Sequence, residues 1–252
     1  MSLQQRIATP EGKRRYVRTL FATIADRYDL ITVAMSYGRD RRWKERLVDL
    51  ARPSLATRAL DLATGTGDIA FALQRRGARV VGLDVTRRMI ELARAKVAAR
   101  PHPSVALALQ FLVADMVALP FAAGSFDLVT TGYGLRNVPD LVAVIDEMLR
   151  VLKPGGCALS LDFNRPANRF IREMYFLYST IVGGAAGWIL HRDADTYRYI
   201  PASIRTYPGA EGVARLMKER GFAHVRHFRV LGGLMAIHQA YKMAETRLQN
   251  AG

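Results

Sequence analysis

Two glycines separated by one residue are the feature of this sequence with the clearest chemistry. Gly65 and Gly67 flank Thr66 directly after a short apolar run, and a second apolar run, residues 80–83, ends in Asp84. Glycine allows a positive φ and a close ligand approach, and the helix that starts here leaves N–H groups free. A carboxylate at the end of the second strand can accept both hydroxyls of a ribose. The pattern predicts an adenosine-binding turn.

The turn alone leaves the identity of the adenosine ligand open. Residues 65–70, GTGDIA, also fit the loose G-x-G-x-x-A form of the dinucleotide fingerprint. A glycine turn that only joins a strand to a helix is a third interpretation.

The elements that position this turn alternate between strands and helices. Apolar residues recur at helical spacing before residue 50, and strands are expected at 109–113, 126–131 and 157–161. The last two strands, 223–230 and 235–242, are joined across two glycines and must pair antiparallel. The sequence predicts an α/β fold that is Rossmann-like. We expect a seven-stranded, mostly parallel sheet with an antiparallel C-terminal hairpin and an N-terminal helical cap.

Four regions follow from this pattern. The expected boundaries are 1–52 for the helical cap, 53–163 for the nucleotide-binding core, 164–208 for a helical insertion, and 209–252 for the C-terminal helix and hairpin. From Met174 to Leu190 the insertion carries no charge, but the run is short for a bilayer span and contains glycines. A substrate lid with an apolar inner wall and a plain core helix are both open interpretations.

Composition limits the function classes. The chain of 252 residues carries a formal charge of +15, so it attracts polyanions such as nucleic acid or an anionic membrane face, or is simply a basic soluble protein. The single cysteine, Cys157, excludes a disulfide framework and fits a reducing cytosol. The N-terminus has no apolar segment typical of a signal peptide.

No metal site is expected. The five histidines have no spacing typical of zinc or iron ligands, and His238, within an apolar strand, is interpreted as a hydrogen-bonded core residue.

Four sequence blocks resemble one family, the ubiquinone/menaquinone biosynthesis C-methyltransferases among the class I S-adenosylmethionine-dependent methyltransferases. They are FATIADRYDL with MSYGRDRRWK, DLATGTGDIA, GLRNVPD through VLKPGG, and RDADTYRYIPASIRTYP with IHQAYK. The resemblance runs from about Phe21 to Lys242. The chain departs from the family pattern at Ala63, where many members have glycine, at Thr32 and Val33, where an Asn-Asp pair is usual, and at Gly132, often serine.

The resemblance implies a cytoplasmic enzyme that methylates a ring carbon of a polyprenylated quinol, with S-adenosyl-L-methionine as cofactor. It places Asp84 at the ribose and Asp115 with Met116 at the adenine. The methionine part of the cofactor would lie against Gly65, Thr66 and Gly67.

Arg136 and Asn137 follow the fourth strand, where ligands bind in open α/β sheets. We expect Arg136 to stabilise the phenolate that a quinol forms, and Asn137 to orient the quinol oxygen. Candidates for the base that removes the ring proton are Tyr28, His191 and Asp195, with Asp29 more distant. Asp195 could instead only cap a helix or pair with an arginine, and Tyr28 could only pack the cap onto the cofactor.

Three other functions remain to be distinguished. A phospholipid N-methyltransferase would share the cofactor half, an RNA methyltransferase would use the positive charge, and a nicotinamide dehydrogenase would use the glycine turn. We expect no nucleic acid partner, since no RNA-recognition appendage is visible. The expected location is cytoplasmic, with the positive charge favouring peripheral contact with the inner face of the membrane. Whether the protein forms a homodimer is left open.

Overall fold

A computed structural model describes residues 3–36, 38–99, 108–165, 169–170, 172–177, 181 and 195–244. Seven strands form one sheet in the order β3-β2-β1-β4-β5-β7-β6. Five neighbouring strands are parallel, and β7 runs antiparallel to both β5 and β6. The strands are β1 (Arg58–Leu62), β2 (Arg79–Asp84), β3 (Leu109–Val113), β4 (Phe126–Gly132), β5 (Leu152–Phe163), β6 (Phe222–Val230) and β7 (Met235–Lys242).

Helices precede the sheet and connect its strands. In α2 the first turn is fixed by sequence, because Pro10 stands at the first position and the Thr9 side chain accepts a hydrogen bond from the N–H of Gly12. The helices are α1 (Leu3–Arg6), α2 (Pro10–Ile24), α3 (Tyr28–Met35), α4 (Asp40–Ala51), α5 (Asp68–Arg75), α6 (Arg87–Ala98), α7 (Leu141–Val151), α8 (Asp195–Thr206) and α9 (Gly209–Glu219).

Two apolar clusters hold these layers together, one on each face of the sheet. Successive residues of β1 alternate between the clusters, since Ala59 belongs to one and Leu60 to the other. One cluster includes Leu47 of α4 and Leu73 of α5, whereas the other includes Met148 of α7. Burial of both faces explains why the parallel strands read as nearly continuous apolar runs.

The predicted architecture is confirmed, including the antiparallel C-terminal hairpin. One boundary is wrong: the prediction started the fifth strand at residue 157, but pairing begins at Leu152, opposite Phe126. The register shifts before Leu128 pairs with Cys157, so the segment Lys153-Pro154-Gly155-Gly156 forms an irregular stretch within the strand.

His238 is a hydrogen-bonded core residue, as predicted. Its Nδ1 lies 3.0 Å from the hydroxyl of Ser160, and its Nε2 lies 2.9 Å from the carbonyl oxygen of Ala210. Burial lowers the pKa of this imidazole to about 4. The side chain is therefore neutral near pH 7 and joins β7 to β5 and α9.

Within the described residues, no helix combines the length and apolarity needed to cross a bilayer. Of the expected insertion, residues 164–208, the structure describes 164–165, 169–170, 172–177, 181 and 195–208. Most of its uncharged run, from 174 to 190, lies outside the described residues.

Candidate functional site

The parallel strands end at one edge of the sheet, and a cavity lies over that edge. It encloses about 720 Å³ of space not filled by protein atoms, part of it open to solvent. The lining comes from α2, from the ends of β1, β2, β3 and β4, and from the segments that follow them. Among the lining residues are Val17, Phe21, Tyr28, Gly65, Asp84, Met89, Asp115, Met116, Gly134 and Asn137.

Asp84 links the glycine turn to the end of β2. Its Oδ2 accepts a hydrogen bond from the N–H of Gly65 at 3.0 Å, and its Oδ1 accepts one from the N–H of Thr86 at 2.8 Å. Burial raises the pKa of Asp84, although these two backbone donors offset part of the effect. Each oxygen keeps further acceptor capacity, so the carboxylate can still receive ligand hydroxyl groups.

Asp115 and Met116 lie at another side of the same cavity, after β3. The Oδ1 of Asp115 accepts a hydrogen bond from the N–H of Val117 at 3.1 Å. Its Oδ2 is 3.2 Å from the Nε of Arg14, a residue of α2 that also lines the cavity. Met116 is buried and apolar. A carboxylate beside an apolar wall suits the amino group and flat face of a purine.

The backbone of the cavity floor is strained at two residues. Ala63 and Tyr133 have φ values of +49° and +61°, in the left-handed region that favours glycine. Ala63 is the departure from the usual glycine, and Gly134 faces it: a Cβ on Gly134 would lie 2.9 Å from the Ala63 methyl group and 2.5 Å from the hydroxyl of Thr131. Gly134 therefore keeps the floor open where Ala63 adds a methyl group.

A smaller cavity of about 310 Å³, also partly open, adjoins the first, and both are lined by Tyr28 and Gly65. It contains Asp61, whose carboxylate accepts hydrogen bonds from the hydroxyls of Thr64 at 2.6 Å and Thr130 at 2.7 Å. Burial raises the pKa of Asp61 to about 6.

Lys44 supplies the cation of the smaller cavity. Its Nζ lies 2.5 Å from Asp40 and 2.9 Å from Asp68. Burial lowers the pKa of Lys44, but the two carboxylates outweigh this and raise it above its ordinary value. A lysine and several carboxylates in one small space match the paired charges of an amino acid.

These two neighbouring spaces, which share lining residues, fit S-adenosyl-L-methionine. The larger has acceptors for a ribose and a purine amino group, the smaller is charged, and Gly65, with φ of +56°, lines both. A Cβ on Gly132, another residue common to the two cavities, would come 2.6 Å from the Cδ1 of Ile69. Both of these shared residues therefore need to be glycine, Gly65 for its positive φ and Gly132 for lack of room.

Arg136 is buried beside the cavity rather than among its lining residues. Its Nη1 donates to the carbonyl oxygen of Tyr133 at 2.8 Å and lies 3.0 Å from the Oδ1 of Asp162, at the end of β5. The guanidinium carbon is 4.7 Å from the ring centroid of Phe163. Burial lowers the pKa of Arg136, but Asp162 more than compensates, so this buried side chain stays cationic.

Polar atoms without partners surround this arginine. Considering the described residues only, the Nε of Arg136, the Oδ1 of Asn137 and the hydroxyls of Tyr199 and Tyr207 are buried with no hydrogen-bond partner. Asn137 lines the main cavity and donates its amide N–H to the carbonyl of Tyr133 at 2.8 Å. Unpaired buried polar atoms are costly, and a bound polar ligand is one way to satisfy them.

Helix α2 covers this part of the site. The Nζ of Lys13 donates to the carbonyl oxygens of Arg136 at 3.0 Å and Val138 at 2.7 Å. One turn further along the helix, Tyr16 contacts Tyr199 of α8, with ring centroids 5.4 Å apart. The helical cap therefore forms one wall of the cavity.

A polar chain fastens α3 to the glycine turn. Asp29 accepts a hydrogen bond from the hydroxyl of Thr66 at 2.6 Å and forms an ion pair with Lys96 of α6 at 2.7 Å. Tyr28, the preceding residue, lines both cavities. Burial raises the pKa of this phenol, so the hydroxyl is neutral near pH 7.

Comparison with protein families decides the class of this site. Residues 9–242 match the ubiE/COQ5 methyltransferase family. The chain belongs to this family.

Two relatives illustrate how far the similarity extends. A demethylmenaquinone methyltransferase of Thermus thermophilus is 41% identical over 221 residues, which cover 87% of this chain and 98% of the relative. The ubiquinone/menaquinone biosynthesis C-methyltransferase UbiE of Dinoroseobacter shibae is 36% identical over 235 residues, covering 92% of this chain and 93% of the relative.

A solved structure confirms the fold. A S-adenosylmethionine-dependent methyltransferase of Thermotoga maritima, described as a possible histamine N-methyltransferase, aligns over 90% of this chain and 99% of its own, with a TM-score of 0.64 and 17% identity. The strand order with antiparallel β7 also differs from the six parallel strands of a dinucleotide-binding dehydrogenase. The protein is an S-adenosylmethionine-dependent methyltransferase of the ubiE/COQ5 family.

The structure brings most of the site residues predicted for this family to one edge of the sheet. Tyr28, Gly65 and Asp84 line the main cavity, as do Asp115, Met116 and Asn137. Thr66 lines only the smaller cavity. Gly67 lines neither. A Cβ on Gly67 would come 3.0 Å from Phe71 and Phe111, so its need for glycine is explained by packing.

Two predicted base candidates cannot be placed. Asp195 begins α8, but its side chain lies outside the described residues, and so does His191.

Sequence reasoning missed Asp162, Lys44 and Tyr199. Asp162 could have been found, because an acidic residue ending the fifth parallel strand lies on the same edge as Arg136. Lys44 and Tyr199 lie on helices, and nothing in their local sequence distinguished them from packing residues.

Proposed function

We propose that this methyltransferase transfers a methyl group to a ring carbon of a polyprenylated quinol. The observation that carries the proposal is the buried cation of Arg136, whose Nε has no partner among the described residues and which adjoins the cavity lined by Asn137. Both relatives described above bear names from quinone biosynthesis, which supports the same acceptor class.

We assign residues to the parts of the cofactor from the chemistry of their side chains. Asp84 accepts the ribose hydroxyls, and Asp115 accepts the adenine amino group beside Met116. Gly65 and Gly67 shape the turn, while Thr66 lies with the smaller cavity toward the methionine part. When bound, S-adenosyl-L-methionine supplies a methyl group on a cationic sulfur.

The acceptor must be made nucleophilic at carbon. Loss of the proton from a quinol hydroxyl gives a phenolate whose charge reaches the ortho carbon, and a buried cation favours that anion. Arg136 supplies this cation. It is held in place by Asp162 and by the carbonyl of Tyr133 before any substrate arrives, so little reorganisation is needed.

Asn137 and Tyr28 position the ring. The unpaired Oδ1 of Asn137 can accept a hydrogen bond from a quinol hydroxyl, and its amide group is fixed by the Tyr133 carbonyl. Tyr28 packs between the two cavities, and its raised pKa makes it a poor base but a good neutral hydrogen-bonding group.

The base that removes the ring proton is proposed to be Asp195. It begins α8, the helix whose buried Tyr199 lies near Arg136. We add Tyr199 to the acceptor site for the same reason, since its buried hydroxyl has no partner among the described residues.

The substrate's membrane origin fits the charge of the protein. A polyprenyl tail resides in a bilayer, and a formal charge of +15 attracts the protein to an anionic membrane surface. We propose peripheral contact with the cytoplasmic face of the membrane as the route of substrate entry.

A direct assay tests the function. The purified protein is incubated with S-adenosyl-L-methionine and a demethylated naphthoquinol with a short, water-compatible prenyl tail, and products are identified by mass spectrometry. We expect a product one methyl group heavier, with the methyl group on a ring carbon. A demethylated benzoquinol precursor, assayed in parallel, determines which ring is preferred.

Phosphatidylethanolamine serves as the competing acceptor. Methylation of this lipid with no reaction at either quinol would overturn the proposal. Methylation on a quinol oxygen rather than on carbon would also contradict it, because the arrangement around Arg136 would then serve a different reaction.

A further inference from the structure

An apolar stripe on the described part of residues 169–181 has no role in the site described above. Residues 169–170, 172–177 and 181 are helical. Phe170, Met174, Leu177 and Ile181 are 74%, 52%, 56% and 62% exposed. Their spacing of four, three and four residues is the spacing of residues on one face of a helix.

The opposite face of the same helix is packed. Phe176 is buried, and the guanidinium carbon of Arg205, near the end of α8, lies 4.9 Å from its ring centroid. The helix is therefore fixed to the protein through Phe176 while it presents four large apolar side chains to the outside. Soluble monomers rarely expose such a continuous stripe unless it meets a partner.

Positive charge lies next to the stripe. Arg169 is exposed beside Phe170, and Arg205 is exposed but stacks on Phe176, on the face opposite the stripe. The exposed Glu173 also borders the stripe and forms an ion pair with Arg172. Helix α8 also contacts α2 through Tyr199 and Tyr16, and α2 carries an open groove lined by Arg14, Arg15 and Arg18. An apolar stripe on a protein with a formal charge of +15 and with arginines on neighbouring helices complements an anionic bilayer surface.

We propose that this stripe, formed by Phe170, Met174, Leu177 and Ile181, inserts into the interface of an anionic membrane, with Arg169 at the level of the lipid phosphates. The proposal deepens the proposed function and rests on it for the origin of the substrate. The four side chains of the stripe are all apolar, which favours shallow burial among lipid chains rather than a protein interface rich in polar contacts.

Insertion of the stripe into a membrane can be measured with a fluorescent label at a single position. The sole cysteine, Cys157, is buried, and burial raises the pKa of its thiol to about 12, so it reacts poorly with thiol reagents. A Leu177→Cys variant can be labelled with an environment-sensitive fluorophore. Leu55, which is 84% exposed and lies just before β1 at the opposite edge of the sheet, gives the matched control Leu55→Cys.

Vesicles of equal parts phosphatidylglycerol and phosphatidylcholine should shift the emission of the label at position 177 to shorter wavelength and leave position 55 unchanged. Neutral phosphatidylcholine vesicles should give a much weaker shift. Equal shifts at both positions, or none at 177, would overturn the assigned surface. A shift at 177 that grows with protein concentration in the absence of vesicles would identify a second copy as the occupant and would also overturn it.

A double variant tests the energetics. Met174→Gln with Leu177→Asn should lower the partition constant on anionic vesicles about 100-fold, about tenfold for each apolar side chain that no longer inserts. Leu55→Asn should leave it unchanged. Unaltered vesicle binding by the double variant would contradict the proposal.

Activity separates this proposal from the proposed function. The double variant should methylate a short-tailed quinol in solution at the wild-type rate and lose at least about tenfold in rate with a long-tailed quinol in anionic vesicles. Failure of the wild-type protein on the soluble quinol would overturn the proposed function alone. Full activity of the double variant on vesicles would overturn the membrane surface alone.

Discussion

On the side of the cavity where we propose that the cofactor binds, here called the cofactor side, Asp84 and Asp115 accept hydrogen bonds from backbone N–H groups and still have acceptor capacity for a ligand. On the acceptor side, buried polar atoms of Arg136, Asn137 and Tyr199 have no partner among the described residues. The two carboxylates of the cofactor side are thus held in place before ligand binds, although the hydroxyl of Thr86 beside them also has no partner among the described residues. The acceptor side contains several such atoms, which a bound ligand would satisfy.

This difference fits the two ligands. A cofactor shared by many methyltransferases can be held by backbone geometry, which a glycine turn and parallel strands supply in any such fold. An acceptor that changes its charge during reaction needs side chains placed where that charge develops. Specificity should therefore depend on the acceptor side and affinity for cofactor on the other.

Arg136→Lys should have the largest effect if the two sides are separable. The lysine keeps the charge but loses the planar group that reaches Asp162 and the Tyr133 carbonyl together, so we expect kcat to fall about 100-fold or more. The dissociation constant for S-adenosylhomocysteine, measured by calorimetry, should change less than about twofold.

The matched control is Arg220→Lys. Arg220 makes two hydrogen bonds to Asp146 on the surface, so its loss should leave kcat unchanged. If Arg136→Lys instead weakened cofactor binding and left kcat intact, the separation between the two sides would be lost.

Asp84→Asn probes the cofactor side in the same way. It removes the charged acceptor that joins Gly65 to Thr86, and the dissociation constant for S-adenosylhomocysteine should rise about 100-fold. Asp127→Asn is a suitable control, because Asp127 also accepts a backbone N–H, that of Arg58, but at the opposite edge of the sheet. Comparable weakening by both variants would indicate a general loss of structure.

The common position of Gly65, Asp84 and Asp115 at one edge of the sheet was the part of the site that the sequence predicted best. Gly65 and Asp84 are recognised locally, because a glycine turn and a strand-ending carboxylate follow from residues near each other in the chain. The parallel order then brings Asp115 to the same edge. The bulge that starts β5 at Leu152 was missed, since it depends on how β4 and β5 align.

The acceptor side was harder to predict because its contacts are long-range. Arg136 and Asn137 were chosen for following a strand, but the ion pair with Asp162 joins residues that only the register of β4 and β5 brings together. Tyr199 reaches the site through the packing of α8 against the turn at residues 135–137. No local pattern specifies that packing.

The pH dependence of the free energy of unfolding tests whether burial of Asp61, which lines the smaller cavity, destabilises the folded protein. Burial raises the pKa of Asp61 to about 6 from an ordinary value of 3.8. The native protein therefore holds this proton more tightly than the unfolded chain, and the corresponding stability is present below about pH 4 and lost as pH rises through about 6.

Asp61→Asn removes this titration. The free energy of unfolding of the variant, relative to wild type, should therefore rise by up to about 3 kcal/mol between pH 4 and pH 7 in urea denaturation. His238, whose pKa is lowered to about 4, has the opposite pH dependence, but it is present in both proteins and cancels in the difference. A difference that does not vary with pH would show that Asp61 is not strained by burial.

The smallest expected effect concerns how the cap is fastened to the cofactor side. Asp29 joins Thr66 to Lys96, and these groups are only partly buried, so Asp29→Asn should raise the dissociation constant for S-adenosylhomocysteine about threefold. Lys96→Met should do the same, and the double variant should be no worse than either one, because the two residues act through one ion pair. Additive losses in this cycle would mean that Asp29 and Lys96 contact the cofactor side independently. Asp29 would then connect the cap to the glycine turn only through its hydrogen bond with Thr66. The ion pair with Lys96 would not explain why Tyr28 lies between the two cavities.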